Sequence, residues 1–115
     1  MLTIRREQMD ALLAYQRLSM AVTHARKCFP EQCARLQPED LWQTAQSAMR
    51  RAASYGLTSM RDALQFLDLA MALGPDFDSR LPWARQILED RSGTGSRFRS
   101  TRLYLRAVRH LRSQE

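Results

Sequence analysis

One stretch limits what this chain can fold into more than any other: residues 57–83, LTSMRDALQFLDLAMALGPDFDSRLPW. At about 100° per residue, Ala63, Leu64, Phe66, Leu67, Ala70, Met71 and Leu73 spread over more than half of a helix circumference, with Leu69 and Ala72 beyond them. Only Arg61, Gln65 and Asp68 make a polar strip. A surface helix needs a single apolar stripe, whereas a helix apolar on most sides must be covered by several neighbours. The stretch therefore predicts a central helix over about 59–73, with other helices built around it. Its ends carry chemical signals. Thr58 or Ser59 can accept a backbone N–H bond at the start, and Asp62, three residues after Ser59, suits a capping box. Gly74 followed by Pro75 supplies the stop.

The neighbours can be read on either side. Arg5 or Arg6 to about Lys27 predicts a long first helix, in which Ala11, Tyr15, Leu18, Val22, Ala25 and Phe29 recur at spacings of four and three as a core stripe. Met9, Leu13 and Met20, with Leu12 beside them, form a second apolar strip. Either flanking helices cover that strip within the monomer, or it is a partner or dimer surface of the kind flexible methionines suit. Phe29-Pro30 ends the first helix, and Pro30 to Leu36 reads as a short helical turn. Pro38 opens a further helix to Tyr55, capped by Gly56, whose Leu41, Trp42, Ala45, Ala48, Met49, Ala52 and Tyr55 share one side. After the central helix, residues 74–81 are too rich in turn formers to be helical, and a short helix begins at Pro82. Phe77 and Trp83 are expected to plug the end of the bundle. Residues 91–96 read as a flexible joint before a basic C-terminal helix over about 97–112.

The fold class that follows is all-α: one domain, residues 1–115, forming an orthogonal bundle of about five or six helices. A chain of 115 residues with 44% apolar content can bury one real core and is short for two. No run is long and apolar enough for a membrane span, and the charged start MLTIRREQMD lacks the apolar stretch of a secretory signal. The expectation is a soluble, cytoplasmic protein with no membrane partner.

The net charge of +6 is localised. Up to Asp90 eleven basic residues balance eleven acidic ones, and the tail then holds seven arginines against Glu115. In the last helix Tyr104, Ala107, Val108 and Leu111 are expected to face the core, with Arg99, Arg102, Arg106 and Arg109 as an outward stripe. Such a stripe suits an acidic protein surface, where the guanidinium fork pairs with carboxylates. Nucleic acid is disfavoured because no helix-turn-helix or zinc-finger pattern accompanies the stripe, and a membrane surface because the apolar face is modest. A solvated face with local ion pairs is the plain alternative.

Chemistry is sparse. His24 and Cys28 share a helix face at four-residue spacing without a nearby acid, and with Cys33 they make no standard zinc spacing. As a Cys–His pair they lack any oxyanion-hole signal. Asp76 and Asp78 flank Phe77, but the further oxygen ligands of a calcium loop are missing, so capping and loop hydrogen bonds are the expected role. There is no glycine-rich phosphate loop and no internal repeat. No catalytic residue, cofactor or metal is assigned, and the chain reads as a binding protein.

The segment ASYGLTSMRDALQFLDLAMALGPDFD followed by LPWARQIL resembles small helical accessory proteins encoded in type VI secretion loci of Gram-negative bacteria. Those genes lie beside effector, PAAR-repeat or VgrG spike genes and the adaptors that load effectors. Tyr55, Gly56, Thr58, Ser59, Asp62, Gly74 to Asp78 and Pro82 to Ala84 carry the likeness; TIRREQMDAL and the CFPEQ turn extend it to roughly residues 3–90. The tail, RSGTGSRFRS, departs from the pattern. The resemblance implies a co-adaptor or chaperone-like protein that binds an effector, its PAAR- or VgrG-associated region, or the loading adaptor. Arg99, Arg102, Arg106 and Arg109 would then meet an acidic partner surface, and Met9, Leu13 and Met20 an apolar one. A homodimer through the methionine strip, a nucleic-acid-binding regulator using the arginines and an immunity protein for a neighbouring toxin are the alternatives.

Overall fold

A computed structural model describes residues 5–90 and 95–114, and among these every element is helical. The lead-in at residues 1–4 and most of the expected joint at 91–96 lie outside the described residues. Seven helices follow in order: α1 (Arg6–Cys28), α2 (Pro30–Ala34), α3 (Pro38–Ser54), α4 (Met60–Leu73), α5 (Phe77–Arg80), α6 (Pro82–Glu89) and α7 (Ser96–Ser113).

The helix ends follow local chemistry. At α1 the side chain of Gln8 accepts the Arg5 N–H at 3.0 Å. Prolines open α2, α3 and α6, where a missing N–H costs nothing. At the end of α3, Gly56 takes φ +80°, Leu57 N–H returns to the Ala52 carbonyl and Gly56 N–H to that of Ala53, both at 2.9 Å. This is a Schellman closure, and it needs a residue without a Cβ. Ser59 caps α4 by accepting the Asp62 N–H at 3.1 Å, half of the expected capping box. Gly74 stops α4 at φ +112°.

Helix α4 is central, packing against α1, α3, α5 and α7. It buries Ala63, Phe66, Leu67, Leu69, Ala70 and Met71, which is why its apolar residues could cover most of its circumference. From α3 come Leu41, Ala45, Ala48 and Ala52, small enough to let the two helices approach closely. Phe77 is fully buried and meets Phe66 at a centroid distance of 4.9 Å, so it plugs the bundle as expected.

Three sequence expectations are corrected. Residues 77–80 form the turn of helix α5 rather than a non-helical loop, because Leu81 and Arg80 N–H groups reach back to Phe77 and Asp76. In α1 only the C-terminal half is held in the core, through Ala21, Val22 and Ala25. Ala11 and Tyr15, expected on the core stripe, are exposed where the helix runs past the bundle. The 23 residues of α1 span roughly 34 Å at 1.5 Å each, and the whole molecule measures 58 × 39 × 19 Å. Finally, α7 is rotated from its expected setting. It buries Arg99, Ser100, Leu103 and Ala107, and leaves Tyr104 and Leu111 exposed.

Candidate functional site

The outer face of α1, along both of its halves, carries a clear surface anomaly. Met9, Leu12, Leu13, Tyr15 and Met20 are 43–62% exposed, although they are large and apolar. Met9, Leu13 and Met20 lie on one side of the helix, opposite the Val22 and Ala25 side that enters the core. No described helix covers this strip. Tyr15 instead leans over α3, stacking on Trp42 at 5.7 Å. Between α1, α3 and the start of α4 lies an open groove of about 750 Å³, where Ala14, Leu18, Met49 and Leu57 give an apolar lining and Arg17 and Arg50 border it. Arg17 is itself anchored to the Thr58 carbonyl at 2.7 Å.

The arginines of α7 do not form the uniform outward stripe that their spacing suggested. Arg99 is 5% exposed, and its Nη1 donates to the carbonyls of Tyr55 at 2.7 Å and Leu88 at 2.9 Å. It therefore ties α7 to the end of α3 and the end of α6. Arg102 pairs with Asp90 at 3.1 Å and lies 5.9 Å from the Phe98 ring centroid. Arg106 sits over the Trp83 ring at 5.0 Å, and His110 approaches the same indole at 5.5 Å. Trp83 is thus a half-buried platform on the flank of α7. Arg109 is exposed. The rotation of α7 is the physical reason: the face that meets the core is centred on Ser100, Leu103 and Ala107, which swings Arg99 inward. Ser100 in turn hydrogen-bonds Gln65, a member of the polar strip on α4.

Asp78 is a buried acceptor for side chains of α3. It is 3% exposed and is held by both the Nε and Nη2 of Arg51, with the Tyr55 hydroxyl donating to Oδ2 at 2.7 Å. Arg51 Nη1 also donates to the Pro75 carbonyl. Desolvation by burial, followed by the Asp78 hydrogen bond and charge, pushes the Tyr55 hydroxyl up to about 12. The YG and GPDFD segments thus meet in one polar knot joining α3 to α5.

A second polar cluster lay hidden in the sequence because its members are distant in the chain. His24 Nε2 and Asp68 Oδ1 are 2.7 Å apart, linking α1 to α4. The Cys28 sulfur lies 3.8 Å from Nε2 and 3.9 Å from Nδ1 of the same ring. The expectation that no acid stands near His24 and Cys28 is therefore corrected. Its available signal was Asp68 itself, since a polar residue on an otherwise apolar central helix must find a partner on whatever covers it. In a nucleophile triad the acid and the thiol hold opposite ring nitrogens. Here the sulfur stands almost equally far from both nitrogens and is not aligned on the one opposite Asp68. The other thiol, Cys33, is buried; desolvation pushes it up from its ordinary value against the opposing charge of Arg26.

Among the described residues no helix is long and apolar enough to cross a membrane. The chain matches no protein-family model, no curated protein and no solved structure.

Proposed function

We propose that the chain is a non-catalytic binding module that docks a protein partner along the exposed face of α1. Its biological setting, following the resemblance of residues 3–90, is that of a cytoplasmic co-adaptor in type VI effector loading. The observation that carries the reading is the exposure of Met9, Leu13 and Met20 at 43, 50 and 56% on one side of a helix whose other side enters the core through Val22 and Ala25. Apolar surface gathered on one face marks an interaction site more strongly than the same residues scattered singly. The four- and seven-residue spacings of the strip are those an amphipathic partner helix meets when laid alongside. Arg102 and Arg109 offer a separate charged contact on α7, whereas Arg99 belongs to the fold.

The test is co-purification of the tagged full chain, at endogenous level, from its host. The expected result is recovery of the adaptor or effector encoded beside it, lost in Leu13→Asp. Recovery of neither protein overturns the reading. Protection of cells from a neighbouring toxin by co-expression would replace it with an immunity role. A shift of duplex DNA or RNA at about 50 mM salt would replace it with nucleic-acid binding.

A further inference from the structure

We propose that His24, Cys28 and Asp68 form a three-ligand site for a zinc-type divalent ion at the junction of α1 and α4. His24 and Cys28 stand four residues apart, so one helix face presents an imidazole and a thiol side by side. Asp68 reaches them from the central helix, and one donor atom from each residue falls within 4.8 Å of the other two.

The donor chemistry selects the ion. Imidazole, thiolate and carboxylate together fit zinc, which accepts nitrogen, sulfur and oxygen in one tetrahedral shell; magnesium and calcium take oxygen ligands and leave a thiolate unused. With zinc–ligand bonds of about 2.0–2.3 Å, tetrahedral donors stand roughly 3.3–3.6 Å apart. The Cys28 sulfur is 3.8 Å from His24 Nε2 but also 3.9 Å from Nδ1, so it stands against the ring face, and its side chain has to turn towards the Nε2 lone pair to share an ion there. The His24–Asp68 pair, at 2.7 Å, has to open by roughly 0.6 Å to admit the ion. Both side chains are 27% exposed, which gives them room to do so without disturbing the core.

Three protein ligands leave a fourth position, and the exposure of Cys28 directs it towards solvent. Zinc sites of this composition keep an exchangeable water there or accept a ligand from another molecule. The ion would also clamp α1 to α4 just below the projecting half of α1. Metal occupancy and partner docking are separate properties, and failure of either leaves the other standing.

The test uses the untagged full chain, kept reduced, titrated with cobalt(II) and then competed with zinc. The expected result is one equivalent of cobalt with the intense visible bands of four-coordination and a thiolate charge-transfer band. Zinc displaces the cobalt and, in excess, raises Tm by about 5 °C or more. Outer-sphere changes alone weaken metal sites about 10–100-fold, so losing a direct ligand should cost at least that much. Cys28→Ser, at an exposed position that the fold does not need, should abolish the charge-transfer band and weaken binding by at least about tenfold. His24→Ala and Asp68→Asn should weaken it as well, and Cys33→Ser should leave it unchanged. Binding weaker than about 100 μM, or a thiolate band that persists in Cys28→Ser, overturns the site.

Discussion

The hydroxyl of Tyr55, at the end of α3, donates to the buried carboxylate of Asp78 in α5 at 2.7 Å, and Arg51 grips the same carboxylate from one turn earlier in α3. A buried acid with two donors is stable only while both remain, because a lone charge in the interior lacks its hydration. This contact explains why a tyrosine before the Gly56 turn and an aspartate after Phe77 belong together. The first closes α3, the second closes the loop that leaves α4, and the fold needs both ends at one place.

Alkaline pH should loosen this knot through Tyr55. Its hydroxyl ionises near 12 in the fold against an ordinary value of 10.0. The stabilisation is complete below about pH 10 and is lost as pH rises towards 12, because the unfolded chain releases that proton first. Urea unfolding at a series of pH values should show a steeper alkaline decline for wild type than for Tyr55→Phe. Parallel declines would contradict the assignment.

Two arginines of α7 should behave oppositely. Arg99→Ala removes charged hydrogen bonds to the Tyr55 and Leu88 carbonyls and should cost about 2–3 kcal/mol. Arg109→Ala, at an exposed position, should stay within about 0.5 kcal/mol of wild type. Denaturant midpoints of the two variants decide this, and equal midpoints would argue against the buried role.

Gly74→Ala should destabilise by about 1–3 kcal/mol, since φ +112° is strained for any residue with a Cβ. The added carbon would also stand 3.1 Å from the Arg80 guanidinium that satisfies the Leu73 carbonyl at the end of α4. Gly95→Ala meets nothing within 4 Å and should change stability by less than about 0.5 kcal/mol. Thermal unfolding of the pair provides the comparison.

On α1, Met9→Ser, Leu13→Ser and Met20→Ser should each leave folding within about 0.5 kcal/mol, because the replaced side chains already face solvent. Phe66→Ala, fully buried at the centre of the core, should cost about 3–5 kcal/mol. Denaturant unfolding measures both, and a large loss at Leu13 would show that the strip is packed.

The helices themselves are local statements. Pro30, Pro38 and Pro82 start them, Gly56 and Gly74 stop them, and the apolar period of residues 60–73 requires neighbours on most sides; each of these depends only on residues a few positions apart. For that reason the all-α class and the central place of α4 could be read without coordinates. What local pattern does not contain is the rotation of one helix against another. The setting of α7 decided that Arg99 is a buried strut and Tyr104 a surface residue. The reach of α1 past the bundle decided that Ala11 and Tyr15 leave the core. The meeting of α1 with α4 brought Asp68 to His24, 44 residues away in sequence, and to its neighbour Cys28. Spacing along a helix specifies which residues share a face; only the packing of whole helices, where large side chains must interdigitate, specifies what that face meets.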